Sequence, residues 1–74
     1  MNDTLPTVTH VGARVSRKAI QQALIHQFGN FIHTQATLDF LRDIGPVQIG
    51  NLGWVIAGNK GGRWAYFLAE VRNS

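Results

Sequence analysis

The side chains that could do chemistry here are few, and their spacing limits what they can do. Asp39 and Asp43 stand four apart, which on a helix would put two carboxylates on one face, as an acid and base pair requires. Such a pair must be buried to separate its pKa values, and these two flank Arg42 in a pattern that reads as a solvated helix face. His10, His26 and His33 have no short ligand spacing, so no metal site is expected from them. Ser16 stands where a helix cap belongs and Ser74 is the last residue, which leaves no nucleophile. The run Gly58-Asn59-Lys60-Gly61-Gly62 has the glycines of a phosphate-binding loop. It lacks that loop's G-x-x-x-x-G-K-[ST] order, and a strand follows it in place of a helix. The reading is a protein that is not an enzyme, with no catalytic residue, metal or cofactor.

What remains is binding chemistry, in three groups. Lys60 and Arg63 flank a glycine-rich tip that has no structural need for charge. Trp64, Tyr66 and Leu68 alternate along the segment that follows, so they share one strand face, and exposed aromatics beside arginine are common anchors of interfaces. Arg14, Arg17 and Lys18 surround a helix start, where the helix dipole disfavours cations. We therefore take Lys60, Arg63, Trp64, Tyr66 and Leu68 as candidate partner-binding residues. Arg14, Arg17 and Lys18 are candidate contacts to nucleic acid or to an acidic surface.

The elements that must position these groups follow from periodicity. Residues 1–6 read as a flexible terminus, and Thr7 to Val15 as a strand in which Gly12 weakens the pattern or marks a bulge. Ser16 caps a helix over Arg17 to Phe28, with Ile20, Ala23, Leu24 and Phe28 as its core stripe and Gly29 as its left-handed stop. Thr34 caps a second helix, Gln35 to Ile44. Its apolar positions Ala36, Phe40 and Ile44 recur at steps of four beside Leu38 and Leu41, with Gln35, Asp39, Arg42 and Asp43 toward water. Gly45-Pro46 ends it. Val47 to Ile49, Trp54 to Gly58 and Arg63 to Arg72 then alternate as strands.

For the last hairpin, a turn centred on Lys60-Gly61 pairs Trp54 with Phe67, Val55 with Tyr66 and Ile56 with Ala65. One face then carries Trp54, Ile56, Ala65, Phe67, Ala69 and Val71, and is expected to pack on Ile20, Leu24, Phe40 and Leu41. The fold expected is α+β: a single small domain over residues 1–74, in the order β-α-α-β-β-β. Two helices pack on a three- or four-stranded antiparallel sheet with a C-terminal hairpin.

Seventy-four residues suit one domain. The absence of cysteine excludes disulfides and favours a reducing compartment, and no apolar run is long enough to cross a membrane. A cytoplasmic protein is expected, with no membrane partner and no small-molecule substrate. The net charge is +3, and no acid occurs between Val8 and Leu38. The acids, at Asp3, Asp39, Asp43 and Glu70, lie apart from the basic clusters in sequence, which points to an acidic macromolecular partner.

Two resemblances extend this. Over residues 16–72, two helices followed by a hairpin with Lys60 and Arg63 at its tip resemble part of a winged helix-turn-helix domain, although a full one has three helices before its wing. This implies a DNA-binding regulator whose second helix presents Gln35, Thr37, Asp39 and Arg42. In size, basic charge and lack of cysteine or a catalytic set, the chain also resembles small bacteriophage-encoded transcription regulators that bind host RNA polymerase. That implies a protein of the bacterial cytoplasm that blocks or alters the polymerase's contacts by occupying a surface. Asp39 and Asp43 on the candidate recognition helix would repel phosphate, which favours the polymerase as partner over DNA.

Overall fold

The change of period after Pro46 is realised in the computed structural model of the chain, whose described residues run from 6 to 72. The expected loose start therefore falls, apart from Pro6, outside the described residues. The elements are β1 (Thr7–Val15), α1 (Arg17–Phe28), α2 (Thr34–Asp43), β2 (Val47–Ile49), a 3₁₀ turn (Gly50–Leu52), β3 (Gly53–Lys60) and β4 (Arg63–Arg72). The strands form one antiparallel sheet in the order β1-β4-β3-β2, and both helices pack on one of its faces. Among the described residues no helix is long and apolar enough to cross a membrane.

Helix α1 forms as its sequence requires. The Ser16 hydroxyl accepts the Ala19 N–H at 3.0 Å, and Gly29, at φ 83°, donates its N–H back to the Ile25 carbonyl. Ile20, Ala23 and Leu24 are buried, whereas Phe28 at the helix end is half exposed, against expectation. Helix α2 departs further. Thr34 is its first residue and His33 holds the cap position with no side-chain bond, so Thr34 does not cap the helix. Its core positions are Thr34, Leu38 and Leu41, while Phe40 and Ile44 are exposed. The helix carries two apolar stripes roughly 120° apart, given 3.6 residues per turn, and the leucine stripe meets the sheet.

The hairpin turn is Gly61-Gly62, with Lys60 opposite Arg63, Gly58 opposite Ala65 and Ile56 opposite Phe67. The expected turn at Lys60-Gly61 is thus displaced by one residue. A two-residue turn of this type needs positive φ at both central positions, and Gly61 and Gly62 supply 63° and 82° without the strain a lysine would bear. The displacement preserves which residues share a face, but the covered face is the opposite of the one expected. Val55 is fully buried and Tyr66 is 5% exposed, with Ala57 and Leu68 packed beside them under the helices. Trp54, Ile56 and Phe67 lie on the open face, and each is only partly buried. The polar tip of Tyr66 shows how the inner face accommodates it: its hydroxyl accepts the Nε–H of Arg42 at 3.0 Å.

Candidate interface for an acidic macromolecule

β4 pairs with β1 only as far as Tyr66 opposite Val15, and β3 pairs with β2 only as far as Val55 opposite Val47. The tip of the hairpin therefore projects past both outer strands. Its last rung sets Lys60 directly opposite Arg63, on the same face as Phe67. Like charges so placed oppose sheet formation. The turn is held by its glycines and by the Asn59 side-chain oxygen, which accepts the Gly62 N–H at 3.3 Å.

A bulge brings a third cation to this face. Between Val11 and Arg14 the register of β1 shifts against β4, where Gly12 and Ala13 oppose Leu68. A carbon added to Gly12 would meet the Leu68 carbonyl oxygen at 3.5 Å. The extra residue reverses the alternation, so Arg14 pairs with Phe67 on the open face and Val15 turns into the core beside Tyr66. Arg14, Lys60 and Arg63 then line one groove of about 430 Å³ with Gly58, Trp64 and Phe67. The Phe67 ring lies over Gly58, with its edge 3.6 Å from where a side-chain carbon at 58 would sit.

Around the end of β1 the surface continues into a second cleft of about 480 Å³, lined by Arg14, Ser16, Arg17, Arg42, Trp64 and Tyr66 among others. Among the described residues neither cleft has a carboxylate in its wall. Arg42 is the residue that sequence reasoning missed. It is exposed, as expected, but its Nε–H is also held by Tyr66 and its guanidinium carbon lies 5.6 Å from the centre of the Trp64 ring. An arginine and a tyrosine 24 residues apart give no local signal of this contact.

Of the candidates read from sequence, Arg14, Arg17, Lys60, Arg63 and Trp64 come together at this end of the molecule, and Trp64 is 38% exposed. Lys18 is exposed on α1 but lines neither cleft. Tyr66 and Leu68 must be withdrawn as exposed anchors: the first is core, and the second packs against it. A second apolar surface, also unforeseen, lies at the helix ends. Phe28, Phe31, Ile32, Phe40 and Ile44 are exposed there, and the rings of Phe28 and His33 are 4.7 Å apart. Among the described residues no three histidine or acidic side chains gather as a metal site would require. Comparison with known families, curated proteins and solved structures finds no match to the chain.

Proposed function

We propose that this protein is a non-enzymatic regulatory module of the bacterial cytoplasm that acts on transcription by laying its basic end against an acidic surface of the transcription machinery, with RNA polymerase the first candidate. One observation carries the reading. Three cations at one end of the molecule stand where they oppose folding: Lys60 faces Arg63 on a single rung, and Arg17 occupies the first turn of a helix that has no acid there. The bulge in β1 adds Arg14 to the same end. A partner's negative charge accounts for an arrangement that the fold alone resists.

Reading of duplex DNA by α2, as the winged-helix layout implies, has less support. Arg42 is engaged by Tyr66, and Asp39 and Asp43 stand exposed on that helix. The test is capture of purified bacterial RNA polymerase, after nuclease treatment, by wild type and by the Lys60→Ala/Arg63→Ala double variant. Capture that weakens in the variant and falls as salt rises is expected. Equal capture by both, or none by wild type, overturns the reading.

A further inference from the structure

The same basic end has a shape that distinguishes among acidic macromolecules. This inference rests on the reading above, that the basic end takes an acidic partner. We propose that its two adjoining clefts hold a single-stranded nucleic acid, with phosphates on the arginines and bases stacked on Trp64 and Phe67.

Each cleft is lined by both cations and aromatic rings, with Trp64 on one face of β4 and Phe67 on the other. Arg14 and Trp64 line both clefts and so form the saddle between them. On one side lie Arg17 and Arg42, and on the other Lys60, Arg63 and the Phe67 ring. A single strand offers both kinds of group, phosphates for the cations and bases whose faces can stack on a ring. Volumes of about 480 and 430 Å³ are within the range of clefts that hold small organic groups.

Arg42 is prepared for such a ligand. Its Nε is occupied by the Tyr66 hydroxyl and its plane is steadied beside the Trp64 ring. Among the described residues its two terminal nitrogens have no hydrogen-bond partner and remain for an oxyanion, and a guanidinium already held in place loses less freedom on binding. A duplex fits less well. Its bases are stacked on one another, so it can offer phosphates to the projecting Lys60 and Arg63 but no free base to rings within the clefts. An acidic protein surface would satisfy the arginines but gives no reason for the rings beside them.

The test is fluorescence anisotropy with a labelled oligonucleotide of about 12 bases, single-stranded or as a duplex, between about 50 and 200 mM salt. We expect the single strand to bind at least roughly tenfold more tightly than the duplex, with log K falling as log salt rises by about 0.7 per phosphate contacted. Trp64→Ala should weaken single-strand binding by roughly 5- to 100-fold and leave the salt slope unchanged, because a ring contributes stacking and no charge. Arg17→Ala, which alters an exposed residue, should preserve the melting temperature and reduce the slope by about 0.7.

Duplex binding equal to single-strand binding overturns the proposal, as does a Trp64→Ala variant with unchanged affinity. If neither nucleic acid binds but nuclease-treated polymerase is still captured through Lys60 and Arg63, the partner is a protein surface. The proposal then fails while the regulatory reading stands. Loss of polymerase capture as well removes both.

Discussion

Tyr66 and Phe67 are neighbours in β4 and nearly equal in size, yet one is core and the other forms part of an open surface. The same contrast holds on β3 between Val55, fully buried, and Ile56, partly exposed. Both faces of this sheet are apolar, so alternation shows which residues share a face and not which face the helices will cover. The covered face is marked by its polar detail. Tyr66 can be buried because Arg42 meets its hydroxyl, while the open face collects Arg14, Lys60 and Arg63 with no acid beside them among the described residues.

The contrast is broken most directly by truncating the two rings in turn. Tyr66→Ala should cost about 3–5 kcal/mol in urea unfolding, since it opens a cavity in the core and removes the acceptor for Arg42. A domain with only about 5–15 kcal/mol in total would be close to unfolded. Phe67→Ala should cost about 1–2 kcal/mol, because much of that ring's surface stays in water in the folded state. Equal losses would mean that the open face is covered in solution, and a melting temperature that rises with protein concentration would identify a second copy as the cover.

Tyr66→Phe sharpens the same point at smaller scale. The ring and its packing remain, and only the acceptor for Arg42 is lost. The expected cost is about 1 kcal/mol by thermal unfolding. No cost would mean that Arg42 finds water as readily as Tyr66, and that its position beside Trp64 is incidental.

Much of the fold was legible because local rules agreed with the global one. Ser16, Gly29 and Gly45-Pro46 bound the helices where capping chemistry puts their ends, and the six main elements stand in the expected order. Errors arose where the chain offered two equivalent choices. α2 carries two apolar stripes, and the sheet took Leu38 and Leu41 in preference to Ala36, Phe40 and Ile44. The turn could take Lys60-Gly61 or Gly61-Gly62, and the need for two positive φ values decided it. At the candidate site, Lys60, Arg63 and Trp64 could be read from sequence as one group and Arg14 and Arg17 as another. The saddle at Arg14 could not, because it depends on a bulge that reverses one strand's alternation. Nor could Arg42, which is brought there by packing between helix and sheet.

The smallest expected effect on stability is the most informative about function. Lys60 and Arg63 oppose each other on the final rung of the hairpin, where the turn needs glycine at 61 and 62 and places no demand on residue 60. Replacing one of two like charges across a rung by its opposite converts a repulsion into an attraction worth about 0.2–1 kcal/mol. Lys60→Glu should therefore leave the melting temperature unchanged or raise it slightly. If the tip were only a turn, no other property would change. If it touches an acidic partner, the same substitution removes an attractive charge and adds a repulsive one there, and binding should fall at least roughly tenfold at low salt, with a weaker dependence on salt. Stability and binding would then move in opposite directions from a single substitution. Both measured on one protein preparation, a rise in melting temperature with intact binding would reduce Lys60 to a tolerated surface charge and shift the interface to Arg14, Arg17 and Arg42.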